Sequence, residues 1–119
     1  VNEINDKDDI LDKDIVKVAL SINKNEKYGR ALYFSRSLIP YGEGPVYHHI
    51  GIYAYSRDSL EKFISLKPSS LEKRESLEQL RALEANMDIK VSIVEDNPIG
   101  VDNLADFNKA CDYIKNNKI

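Results

Sequence analysis

The spacing of apolar residues changes partway along the chain, and that change limits the folds open to it. In DIVKVALSI (14–22), RALYFSR (30–36) and YHHIGIYAY (47–55), β-branched, aromatic and aliphatic residues come in short alternating runs, the mark of strands. NKNEKYG (23–29), turn chemistry ending at Gly29, separates the first two, and LIPYGEGP (38–45), with two prolines and two glycines, is a loop. After residue 55 the spacing becomes helical. SRDSLEKFISL (56–66) reads as a short helix capped by Ser56. PSSLEKRESLEQLRALEAN (68–86) reads as one long helix, with Ser69 and Glu72 spaced as a capping box and Leu77, Leu80 and Leu83 as its apolar stripe. IKVSIVE (89–95) is a further strand, DNPIGVD (96–102) a loop, and NLADFNKACDYIKNN (103–117) a closing helix with Leu104, Phe107, Cys111 and Ile114 on one face. Residues 1–13 are acidic and weakly patterned, a loop or frayed helix. A chain that alternates between the two periods in this way is an α/β or α+β domain.

At 119 residues one compact domain is expected, and 42% hydrophobic with 31% charged residues suits a globular chain rather than a disordered one. The net charge of -3 supplies no basic field for a phosphate backbone, which argues against nucleic acid as a partner. No apolar run approaches the roughly 18 residues of a membrane span, so no membrane partner is expected. Cys111 is the only cysteine, which fits a reducing cytoplasm and excludes an intrachain disulfide.

The densest chemistry lies in YHHIGIYAY. Strict alternation places His48, Ile50, Ile52 and Ala54 on a core-facing side, and Tyr47, His49, Gly51, Tyr53 and Tyr55 on the other. His49 and Tyr53 then flank the hollow that Gly51 leaves, either as one wall of a binding site or as structural residues with ordinary partners. The adjacent histidines are not a zinc pair, since neighbouring strand residues face opposite ways.

Four stretches in order, ALYFSRSLIPYG, HHIGIYAY, SSLEKRESLEQLRAL and IGVDNLADFNKA, resemble the C-terminal half of 3-deoxy-manno-octulosonate (Kdo) cytidylyltransferase, the CMP-Kdo synthetase family. The likeness runs from about Asp14 to about Tyr113. It implies an α/β fold, the C-terminal half of a nucleotide-diphospho-sugar transferase (Rossmann-like) fold, with a mixed sheet and flanking helices. Residues 1–119 would form a single partial domain, the sugar-binding and dimerisation half, without the N-terminal nucleotide-binding half. That half of the family carries an IPAR-x-x-S-x-R-x-P-x-K-P-L loop and a QGDEP segment, and neither stretch is in this sequence. Two family motifs are altered, GVDTPEDL to GVDNLADF and SR-x-PIP to SRSLIP, with Asp102 and Arg36 kept.

The activity implied is transfer of CMP from CTP to Kdo with release of pyrophosphate, in lipopolysaccharide biosynthesis, by a cytoplasmic homodimer using Mg²⁺. A related enzyme of the neuraminate type, or a non-catalytic sugar-acid-binding or dimerisation fragment, are the alternatives. Carried over residue by residue, the resemblance implies that Arg36, His49, Tyr53, Glu78 and Gln79 bind Kdo, and that Asp102 is the catalytic magnesium ligand. Arg36 has the planar donor fork a sugar carboxylate suits, or else serves a surface salt bridge. On one continuous helix Gln79 would lie about 100° and Glu78 about 160° from the centre of the leucine stripe, so periodicity by itself puts Glu78 in solvent. Glu72, Glu75 and Glu84 read as ordinary helix-surface charges, and Asp102 or Asn103 as a helix cap. The segment from Tyr33 to Tyr47 is the expected self-association surface.

Overall fold

A computed structural model describes residues 1–95, 98–101 and 103–117. Its order is β1 (Asn2–Glu3), α1 (Lys7–Leu11), β2 (Lys17–Ile22), β3 (Tyr28–Ser35), β4 (Tyr47–His48), α2 (Arg57–Ser65), α3 (Ser70–Glu75), α4 (Leu80–Glu84), β5 (Lys90–Ser92) and α5 (Leu104–Asn117). The α/β class expected from the sequence is the one observed. The sheet runs β1-β4-β2-β3-β5, and where a mixed sheet was expected all four ladders are antiparallel. It curls until its edges meet: the Val1 amino group donates to Ser92 O at 2.9 Å and Val94 N donates to Val1 O at 2.9 Å.

The β2–β3 hairpin is the frame. Asn25 takes the left-handed conformation (φ 69°) in its turn, a conformation asparagine tolerates. Gly29 is required where the strands approach, because a Cβ there would sit 2.8 Å from Ser21 O. A register shift between Ala19 and Leu20 bends the pair. Val16, Val18, Ala31 and Phe34 from the sheet, with Leu77 and Leu80 from the α3–α4 region, make the buried core.

Two expected elements are broken. The strand forecast at 47–55 keeps only its first two residues. β2 begins at Lys17, so beyond the bond from His49 N to Val16 O (2.9 Å) the chain has no neighbour to pair with. It turns instead: Ile52 N donates to Ile50 O at 2.8 Å, a three-residue turn centred on Gly51. Alternation fails there, and Ile52, assigned to the core face, is 84% exposed. The helix forecast at 68–86 also splits. Ser76 closes α3 in the left-handed conformation (φ 57°, ψ 46°), at a cost of about 1 kcal/mol for a non-glycine residue, and α4 restarts at Leu80. The leucine stripe holds across the break, with Leu77 and Leu80 buried.

The three helix glutamates are not ordinary surface charges. Glu72 takes Arg81 in a two-pronged ion pair and accepts from Ser69 N at 2.8 Å, which holds its carboxyl down at about 2; Arg81 also lies over the Phe63 ring at 5.0 Å. Glu84 accepts from Ser70 Oγ (2.9 Å) and Leu71 N (3.1 Å), pinning α4 to the start of α3. Glu75 binds the end of β3. The forecast caps at Ser56 and Asn103 are present, accepting from Ser59 N at 3.2 Å and Asp106 N at 3.0 Å. Among the described residues no helix is long and apolar enough to cross a membrane.

Candidate sugar-acid site

Arg36, His49, Glu78 and Gln79 come from the end of β3, the turn after β4, and the break between α3 and α4, and all line one cleft of about 700 Å³. Each break in regular structure places one of them. The Gly51 turn folds the chain back so that His49 Nε2 and Tyr53 Oη meet at 2.7 Å, a contact that residues four apart on an extended strand cannot make. Tyr53 lines the adjoining hollow of about 910 Å³, whose wall also includes His49. The expectation that one strand face presents His49 and Tyr53 on either side of Gly51 is not met: no strand extends past His48, and a turn brings the two side chains into contact instead. Among the described residues none demands a glycine at 51: a Cβ there would meet only His49 Cε1, at an ordinary 3.9 Å.

His49 packs edge-on against Phe34 (ring centroids 5.3 Å, 82°). Burial, then the charges of His48 and the N-terminal amine, lower its pKa to about 4, so it is neutral at pH 7. Burial, then Tyr55 and Glu78, raise the Tyr53 phenol, which stays protonated. The neutral pair owns two polar hydrogens and spends one between its members. Either Tyr53 donates and His49 Nδ1 keeps an N–H, or His49 Nε2 donates and the phenol keeps its O–H; one donor remains in both tautomers.

The α3–α4 break separates two neighbours: Glu78 stays exposed, as the helical wheel put it, while Gln79 is buried. Gln79 sits at the α4 N-cap and is 8% exposed, and its Nε2 is buried with no hydrogen-bond partner among the described residues. Glu78 is exposed at the cleft rim. Arg36 is no surface salt-bridge residue: Nε donates to Glu75 O and Nη1 to Lys13 O, both at 3.1 Å. Three of its five N–H groups remain without a partner among the described residues.

Two residues were missed. Lys17 is fully buried, with Nζ donating to Asp12 O and, at 3.4 Å, to Arg36 O, so it braces the backbone behind Arg36. Glu75 accepts from Tyr33, Ser35 and Arg36. A lysine flanked by Val16 and Val18 in a buried strand was the available signal for the first; periodicity held none for the second. Asp102 lies outside the described residues, and among those described no group of three or more His, Cys, Asp or Glu side chains is placed to hold a metal ion.

The 3-deoxy-manno-octulosonate cytidylyltransferase of Rhizobium meliloti (strain 1021) is 58% identical over 107 residues, 90% of this chain and 42% of that protein. The protein of the same name from Bartonella quintana (strain Toulouse) is 53% identical over 107 residues, 90% of this chain and 44% of its own length. A solved structure of CMP:2-keto-3-deoxy-manno-octonic acid synthetase complexed with CTP superposes with a TM-score of 0.83 at 34% identity, covering 98% of this chain and 47% of that one. The chain thus spans less than half the length of these relatives. The family model described as cytidylyltransferase matches residues 1–89. With most of its length inside that match, the chain belongs to the cytidylyltransferase family.

Proposed function

We propose that this chain is the sugar-acid side of a cytidylyltransferase that couples Kdo to CMP, taking CTP and releasing pyrophosphate, in lipopolysaccharide biosynthesis. The observation that carries this reading is the cleft, where Arg36, His49, Glu78 and Gln79 converge and the buried Gln79 Nε2 has no partner among the described residues. A buried amide without a partner is costly, and a sugar hydroxyl would satisfy it. The relatives' names and the CTP complex of the structural neighbour support the same substrates.

In this reading the free N–H groups of Arg36 take the sugar carboxylate as a charge-assisted pair. Gln79 donates to a hydroxyl, Glu78 accepts from one, and the His49–Tyr53 pair offers its remaining donor. Gly51 leaves space for the ring. Held by these contacts, the anomeric hydroxyl faces the α-phosphorus of CTP, and attack forms its new P–O bond as pyrophosphate departs. The residues of this chain contribute alignment, the larger part of what such a transfer asks of protein side chains. Magnesium belongs to the proposal through Asp102, and its remaining ligands would come from outside the described residues; when bound, it neutralises phosphate charge. Homodimerisation and a cytoplasmic setting are part of the same proposal.

The test is titration of Kdo into the chain, followed by calorimetry and by NMR of His49, with N-acetylneuraminate alongside. Saturable Kdo binding that His49→Ala and Gln79→Ala each weaken supports the reading. Preference for N-acetylneuraminate moves the assignment to a neuraminate-type enzyme, and binding of neither sugar overturns it. With CTP, Mg²⁺ and Kdo together, these 119 residues are expected to release no pyrophosphate, because neither the family's nucleotide loop nor its QGDEP segment is in them.

A further inference from the structure

Glu75 lies at the last turn of α3, outside the set that lines the cleft, yet one carboxylate there gathers three donors from β3 and its end. Ser35 Oγ and Tyr33 Oη donate to Oε1 at 2.8 and 3.3 Å, and Arg36 N donates to Oε2 at 3.1 Å. This draws the C-terminal end of α3 against the end of β3. Its own carbonyl is thereby set 3.1 Å from Arg36 Nε, so the guanidinium caps the helix end. From the same point Ser76 turns the chain left-handed into Leu77, Glu78 and Gln79. Arg36 on one wall of the cleft and Glu78 and Gln79 on the other are joined through this residue.

We propose that Glu75 is a positioning residue that fixes the pose of Arg36 and the spacing of the two cleft walls. The part of this that concerns ligand rests on the sugar-acid reading of the cleft; the part that concerns Arg36 does not. Glu75 acts by hydrogen-bond geometry rather than by charge. Glutamine has the same shape: its oxygen can accept from Arg36 N, while its amide donates to Ser35 Oγ and Tyr33 Oη, which as hydroxyls accept as readily as they donate. Alanine keeps none of these bonds.

The experiment compares the chain with its Glu75→Gln and Glu75→Ala variants. One readout is the Arg36 Nε–H resonance and its exchange with solvent, and the other is Kdo affinity. Glu75→Gln is expected to keep the slow-exchanging Nε–H and to bind Kdo within about twofold of the parent. Glu75→Ala is expected to lose the slow Nε–H signal and to bind Kdo at least ~10-fold more weakly, the cost of a charged hydrogen bond left unformed. If Glu75→Ala does not fold, Ser35→Ala, which removes the shortest of the three bonds, should give the same losses in smaller measure. An unchanged Arg36 Nε–H in the alanine variants overturns the proposal. So does a Glu75→Gln variant as impaired as Glu75→Ala, since charge and not geometry would then be what matters. If the parent chain binds no Kdo, the sugar-acid reading falls, while the Arg36 resonance still decides whether Glu75 positions it.

Discussion

Acid should destabilise this chain through His49, and the size of the effect follows from its surroundings. The ring is held between Phe34 and Tyr53, and burial, with His48 and the N-terminal amine adding to it, takes its pKa from 6.5 to about 4. The neutral form is favoured in the folded state, so the unfolded chain binds the proton first as pH falls. Stability from this source is complete above pH 6.5 and is lost progressively down to pH 4. Each pH unit between the two values is worth about 1.4 kcal/mol, so the full loss is on the order of 3 kcal/mol. At pH 5 the unfolded imidazole is almost wholly protonated and the folded one about a tenth so, a loss of roughly 2 kcal/mol. Against a typical domain stability of about 5–15 kcal/mol that is readily measured. The perturbation is His49→Gln, and the assay is urea unfolding at pH 7.5 and pH 5. The variant loses the contact with Phe34 at both pH values, which is a constant offset. The parent midpoint should fall by about 1 M urea more than that of the variant, for a slope of about 2 kcal/mol per M. Equal pH dependence in the two would refute the reasoning, since His49 would then titrate alike folded and unfolded.

Leu80→Ala, at a fully buried side chain that ties α4 to the sheet, should cost about 2–5 kcal/mol in the same unfolding assay. In a complete cytidylyltransferase carrying this half, Asp102→Asn should lower pyrophosphate release by more than about 100-fold, because a metal carboxylate supplies several kcal/mol of charge stabilisation. Near-normal turnover would remove Asp102 from the proposed metal site. The chain should self-associate through Tyr33 to Tyr47, where Leu38 and Tyr41 are exposed; light scattering that finds only monomer at high concentration would count against it.

The residues assigned to the sugar came from the family resemblance, while the sequence's own pattern determined the order of the main strands and helices, the caps at Ser56 and Asn103, and the core leucines 77 and 80. These are properties of local pattern: apolar spacing fixes which face is buried, and a capping side chain reaches only its own first turn. Periodicity could not show where a pattern stops. The 47–55 run alternates past His48, yet a strand lasts only as long as its neighbour, and β2 ends the ladder. The helix from 68 to 86 has no glycine to announce its break at Ser76, and tertiary packing held a non-glycine residue in a left-handed turn. Those two interruptions shape the site: one brings His49 to Tyr53, and the other buries Gln79 while leaving Glu78 exposed at the cleft rim, where the wheel had put it. Lys17, despite the signal of its flanking valines, and Glu75 were overlooked for a related reason. A charged side chain on a strand or helix is read as solvated until the fold supplies the carbonyls and hydroxyls that satisfy it, and those partners lie up to 42 residues away, as between Tyr33 and Glu75.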